Sequence, residues 1–137
     1  MSGWNTNIIE EFRANEGRVA SFAHQPLLLI RHRGAKTGTE RVNPLMYLPD
    51  GDHWVVFGSK GGHVAHPHWI HNLEANPNAT IEVGIETVPV VARVIRDGPE
   101  RDEFYARQVA LRPQFGEYEA KTAGHRTIPV IVLTRRT

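Results

Sequence analysis

A chain of 137 residues with 16 basic and 15 acidic side chains has a formal net charge of +1, so no global field draws it to nucleic acid or an acidic surface and any anion site must be local. It has no cysteine, which excludes a disulfide, a thiolate nucleophile and Cys-ligated zinc. One core at this length can bury roughly two-thirds of the unfolded surface, so a single domain over 1–137 is expected.

Trp4, Ile8, Ile9 and Phe12 recur at helical spacing, with Asn5 or Asn7 as candidate cap and Gly17 as stop, which predicts an N-terminal amphipathic helix. Its apolar stripe suits a core. Peripheral contact with a membrane or partner is the alternative, disfavoured by Glu10 and Glu11 on the opposite face. No basic-then-apolar leader pattern opens the chain, and the longest strongly apolar run, residues 27–30, is far short of a bilayer span. A cytoplasmic protein is expected.

Residues 26–32 read as a strand ended by Gly34, with 41–48 and 53–58 as the next two strands and Pro49-Asp50-Gly51-Asp52 as a hairpin turn. A short helix over 67–75 follows the Gly61-Gly62 break and stops at Asn76-Pro77-Asn78, before strands over 80–84 and 87–95. Asp97 supplies a cap, Pro99 an early proline, and Glu100, Asp102 and Glu103 an acidic first turn for a helix through Leu111. Pro113 ends it. A helix-prone stretch to about Lys121 leads to a last, β-branched strand over 128–133. Six strands in hairpin-like succession with helices between them predict an α+β domain on an antiparallel sheet or barrel, not alternating βαβ units.

Chemistry has two candidate seats. Gly34-Ala35-Lys36-Thr37-Gly38-Thr39-Glu40-Arg41 puts two cations and two hydroxyls on a glycine-bracketed turn, where exposed N–H groups can cradle an oxyanion. A solvated hairpin turn accounts for the pattern equally well. Gly58-Ser59-Lys60-Gly61-Gly62 brings a strand end, a hydroxyl, a cation and a nearby helix start together, which suits a phosphate or a carbonyl edge. It is not a phosphate-binding P-loop, because Lys60 precedes the glycines.

His63, His66, His68 and His71 suggest a metal, but Pro67 interrupts them and Glu74 is the only acid near in sequence, so no metal is expected. Ser59 and Ser21 lack a nucleophile elbow. Asp50 and Asp52 are more simply turn-formers than a carboxylate pair.

Taken in order, Gly34-Ala35-Lys36-Thr37-Gly38, Arg41-Val42-Asn43-Pro44-Leu45, Asp50-Gly51-Asp52, Gly58-Ser59-Lys60-Gly61-Gly62, Pro67-x-Trp69-x-x-Asn72-Leu73-x-Ala75-Asn76-Pro77 and Arg126-Thr127-Ile128-Pro129-Val130 resemble the deazaflavin-dependent nitroreductase family over nearly the whole chain. The resemblance implies a split β-barrel, similar to that of pyridoxamine-phosphate-oxidase-like flavoproteins, with coenzyme F420 in a groove. It assigns Ala35, Lys36, Thr37 and Arg41 to the cofactor's phosphate and polyglutamate tail, in agreement with the oxyanion reading of the turn. Val42, Asn43, Pro44, Leu45 and Met46 are implied along the ring system, and Phe57, Gly58, Ser59 and Lys60 as the next wall. His68, Trp69, Ile70, His71 and Asn72 are implied as a short cofactor-contacting helix.

The expected activity is transfer of hydride from reduced F420 to a quinone, enone or nitroaromatic acceptor, with Ser59 polarising the reacting assembly and Tyr118 shaping the acceptor side. Relatives active on nitroimidazoles commonly carry tyrosines where this chain has Met46 and Phe115, while Tyr118 matches another such tyrosine. The rival readings are a carrier of the coenzyme or of a lipid without turnover, and an FMN-dependent protein on the same barrel. Flavin-type split barrels often pair, which suggests a homodimer.

Overall fold

The structure is a computed structural model and describes residues 3–22 and 26–136. Seven strands of the described residues form one antiparallel sheet: β1 (Leu27–Arg33), β2 (Glu40–Met46), β3 (Leu48–Asp50), β4 (His53–Phe57), β5 (Asn78–Val83), β6 (Glu86–Ile95) and β7 (Val130–Arg135), in the spatial order β2-β1-β5-β6-β7-β4-β3. The sheet curls until β2 meets β4 across the fold, giving the expected split half-barrel. Among the described residues four α-helices flank it: α1 (Gly3–Ala14), α2 (His68–Ala75), α3 (Pro99–Leu111) and α4 (Gln114–Thr122).

Strand parity sorts the core. Leu28 and Ile30 of β1 pack with Ile70 and Leu73 of α2 and with Ile81 and Val90, while Leu27 and Leu29 face the other way onto Ile8, Ile9 and Phe12 of α1. A second cluster joins Val55 and Phe57 of β4 to Tyr105 of α3, Phe115 of α4 and Val130 and Val132 of β7. Each such side chain contributes about 1.5–3 kcal/mol by leaving water, so α1, α2 and α4 are each pinned to a different part of the sheet.

The elements differ from expectation in four places. The stretch 49–52 contains a third, short strand; Leu48 pairs with Val55 and only Gly51 and Asp52 turn, with Pro49 tolerated because β3 is a sheet edge. The first helix is already running at Gly3, so Asn5 and Asn7 lie within it rather than at its N-cap. Trp4's side chain lies outside the described residues. The N-cap of α3 is Gly98, at φ 100°, rather than Asp97; Pro99, Glu100 and Asp102 follow as expected. The last strand begins at Val130 rather than Ile128, and just before it the Pro129 carbonyl accepts from the Gly58 N–H.

Two glycines set the approach of elements. A Cβ at Gly58 would lie 2.1 Å from Ile70 Cδ1, so only glycine lets α2 close onto the end of β4. Gly62 has φ +82°, and a Cβ there would sit 3.1 Å from Tyr118 Cα, so only glycine lets the turn after β4 press on α4.

Candidate functional site

A cleft of about 1060 Å³ opens where the β1–β2 turn, β2, the segment after β4, α2 and α4 converge. Both sequence-expected seats therefore border one space. The turn contributes Ala35, Lys36, Thr37 and Arg41; β2 contributes Val42, Asn43, Pro44, Leu45 and Met46. Phe57, Ser59 and Lys60 form a further stretch of wall, with His68, Trp69, His71 and Asn72 from α2 and Phe115 and Tyr118 from α4. Gly58 and Ile70 are not on that wall. Ile70 is fully buried in the core, and Gly58 is the small surface against which it closes.

The β1–β2 turn is organised by its own backbone. The Gly34 N–H donates to Thr39 O and the Gly38 N–H to Gly34 O, each at 2.9 Å, while the Thr39 N–H reaches Thr37 Oγ1 at 3.2 Å. The Ala35 N–H donates to Asn72 Oδ1 at 2.9 Å. Among the described residues only the Lys36 and Thr37 N–H groups of this turn lack a protein acceptor, and neither Lys36 nor Arg41 forms an ion pair. The cradle is thus narrower than the sequence suggested: two backbone donors and two cations, with Ala35's donor already committed.

His32, which the sequence reading passed over, lines the same cleft and is 2% exposed. Its Nε2 lies 2.7 Å from Asn43 Oδ1 and its Nδ1 3.2 Å from Asn72 Nδ2. Burial, opposed by the Asn43 bond and assisted by the Arg41 charge, holds its pKa below the ordinary value of 6.5. The signal available in sequence was parity: His32 continues the Leu28 and Ile30 face of β1.

After β4 the chain makes a one-turn 3₁₀ helix, Lys60–Gly62, with Lys60 at φ 46°. Such a conformation in a non-glycine residue persists only when its surroundings fix it. Arg126 does so: it donates to Gly58 O and Ser59 O at 2.8 Å and to His63 O at 2.9 Å. The Ser59 and Tyr118 hydroxyls have no hydrogen-bond partner among the described residues, and both residues border the cleft.

The histidines do not assemble as a metal site. Among the described residues no three His, Cys, Asp or Glu side chains are placed to hold an ion. His66 instead stands between two guanidiniums, 3.0 Å from Arg126 and 3.2 Å from Arg96. Burial first, then the Arg126 and Arg96 charges, depress its pKa. A neutral imidazole has one lone-pair nitrogen, so only one of the two arginines is bonded to it.

The α4 side of the cleft is aromatic. Phe115, 3% exposed, stacks edge-on with Phe57 at 5.7 Å and with Tyr118 at 5.1 Å, and Met46 packs against the same cluster. Tyr105 closes it from behind through its hydroxyl, which donates to Phe115 O at 2.6 Å.

This curled half-barrel, with a cleft cationic on the β1–β2 turn and apolar along β2 and α4, is of the split-barrel class. The chain belongs to the F420H(2)-dependent quinone reductase family, whose model matches residues 4–135. It is 36% identical over 132 residues to an F420H(2)-dependent quinone reductase of Mycobacterium tuberculosis, across 91% of this chain and 85% of that protein. Among solved structures it resembles an F420-H2 dependent reductase at 35% identity and TM-score 0.70, over 79% of this chain and 93% of that one. It also resembles a protein described as a domain-swapped dimer, at 32% identity and TM-score 0.72 over 93% and 98% of the two chains.

Proposed function

We propose that this chain is an oxidoreductase that uses reduced coenzyme F420 to reduce a quinone. The observation that carries the reading is the joining, in one cleft, of two unpaired cations on a donor-bearing turn with an apolar wall and two partnerless hydroxyls. Those residues fit a phosphorylated planar ring system. Lys36 and Arg41, with the Lys36 and Thr37 N–H groups, would hold the phosphate end, where each charge-assisted bond contributes roughly 1.5–3 kcal/mol before solvent screening. Pro44, Leu45, Met46 and Phe57 would lie along the rings.

When bound, the deazaflavin supplies a two-electron hydride donor that is a poor one-electron carrier. The chain's contribution is orientation and exclusion of water. Ser59, held by the Arg126 clamp on its own carbonyl, would present its hydroxyl as a donor towards the reacting assembly. Tyr118 and Phe115 would shape the acceptor side, and burial of Phe115 keeps that wall dry.

Oxidation of reduced F420 followed optically with and without menadione tests the reading, alongside a fluorescence titration of F420 against FMN. Turnover with menadione and preference for F420 are the expected results; binding without turnover would make the protein a carrier. Pairing of two copies is part of the proposal, supported by the relative described as a domain-swapped dimer, and light scattering of the purified protein tests it. No helix among the described residues is long and apolar enough to cross a membrane. A cytoplasmic location remains part of the reading, open to fractionation of the host cell.

A further inference from the structure

Four polar groups from different elements form one continuous chain behind the cationic turn. The Ala35 N–H can only donate, and its partner 2.9 Å away is therefore the Asn72 carbonyl oxygen. That orientation turns the Asn72 amide nitrogen towards His32 Nδ1 at 3.2 Å, which must then offer a lone pair. The His32 proton sits on Nε2 and is donated to Asn43 Oδ1 at 2.7 Å. Every direction follows from the first, so a single tautomer of His32 and a single rotamer of each amide satisfy the chain. Asn72 and His32 are both buried, where a broken link would strand a polar group without water.

We propose that His32 is a positioning residue, which through Asn72 fixes Ala35 and so sets the shape of the turn that presents Lys36 and Thr37 to a phosphate. Among the described residues the turn has no other hydrogen bond to α2: Gly34, Gly38 and Thr39 bond within it, and the one further tie is from Arg33 of β1, whose Nη1 donates to Gly38 O at 3.2 Å. Holding Ala35 leaves the two following N–H groups and both cations facing the cleft. Without that link the turn keeps its internal bonds but loses its placement relative to α2. The role rests on the reading that this turn takes the cofactor's phosphate.

Two near-isosteric substitutions separate the links. In His32→Asn the side-chain oxygen falls near the place of Nδ1 and still accepts from Asn72, while the bond to Asn43 is lost. In His32→Gln the amide falls near the place of Nε2, keeping Asn43 and losing Asn72. Glutamine is closer to histidine in volume, so a merely packing role favours it.

The proposal expects the reverse, in two measurements. Exchange of the Ala35 amide hydrogen in cofactor-free protein is slow in wild type and in His32→Asn, and about tenfold faster in His32→Gln. F420 affinity by fluorescence titration stays within about twofold in His32→Asn and falls about tenfold in His32→Gln, the equivalent of one hydrogen bond. Glutamine preserving both quantities better than asparagine would overturn the proposal. Nitrogen-15 spectra of wild-type His32 give a test that needs no variant: a proton on Nε2 is expected, and one on Nδ1 overturns the chain. Lys36→Ala tells the two readings apart, since unchanged F420 affinity in that variant rejects the phosphate site while Ala35 exchange still decides the role of His32.

Discussion

Arg126 reaches across 68 residues of sequence to place its Nη1 2.8 Å from the carbonyl oxygen of Gly58. The same guanidinium takes the next carbonyl, Ser59 O, with its other terminal nitrogen. One side chain thereby fixes the backbone on both sides of the Gly58–Ser59 peptide link. Arg126→Ala leaves those acceptors without their donor, at a cost of about 1–3 kcal/mol each where water cannot replace it. Expected outcomes are a melting temperature lowered by several degrees and a weaker grip on Ser59, seen as a loss in kcat. Arg126→Lys is expected to recover little, because one ammonium cannot span three carbonyls in a fixed fork. Full kcat in both variants would remove the clamp from the mechanism.

Lys36→Ala and Arg41→Ala are each expected to weaken F420 binding about tenfold, rising towards a hundredfold at low ionic strength. Both side chains are exposed, so solvent screening favours the smaller figure. Titrations in low and high salt check this. Unchanged affinity in both variants at low salt rejects the turn as the phosphate site.

With Met46 and Phe115 apolar, the cleft offers a nitro group only the Ser59 and Tyr118 hydroxyls, so menadione is expected to rank above a nitroimidazole, each nitro oxygen buried without a donor costing on the order of 1–3 kcal/mol. Met46→Tyr is expected to move the ratio of kcat/KM values towards the nitro substrate, since Met46 is only half-buried. Phe115→Tyr is expected to do so at a cost in stability, its ring being enclosed by Phe57, Tyr105 and Tyr118. Equal turnover of both substrates by the wild type contradicts the ranking.

Acid is expected to destabilise the protein through His32. Its pKa is depressed in the folded state by burial, so between that value and the ordinary 6.5 the unfolded chain binds the proton and the folded chain does not. The stabilisation is complete above 6.5 and is lost as pH falls towards the folded value, by at most about 1.4 kcal/mol per pH unit. His66, depressed by burial and then by the Arg126 and Arg96 charges, acts in the same direction. Glu74 and Glu100, bonded to Arg96 and Arg93, are held below the ordinary 4.5, which leaves a window for the histidines. Melting curves from pH 7.5 to 5 are expected to drop less steeply in His32→Asn than in wild type.

Removal of divalent metals is expected to change neither folding nor turnover, given that His66 is held between arginines rather than acids. Dialysis against a chelator followed by melting and menadione assays checks it. Stoichiometric zinc in the purified protein would refute it.

Periodicity, turn residues and the order of glycine-bracketed motifs determined the α+β class, most element positions and the two chemical segments, because these are local properties of a chain. The short edge strand at Leu48–Asp50 escaped notice because proline and aspartate read as turn whenever the partner strand is unseen. Ile70 was assigned to the wall by its place in a motif; the helix rotates it into the core, where Gly58 makes room. His32 has no motif around it, and its link to Asn72 joins residues 40 apart. Arg126 stood in a recognised motif but its grip on Gly58, Ser59 and His63 spans 63 to 68 residues. Contacts of that separation exist only once β4 has paired with β7 and α2 has packed on β1, so the placing of donors around the cleft was decided by the tertiary fold.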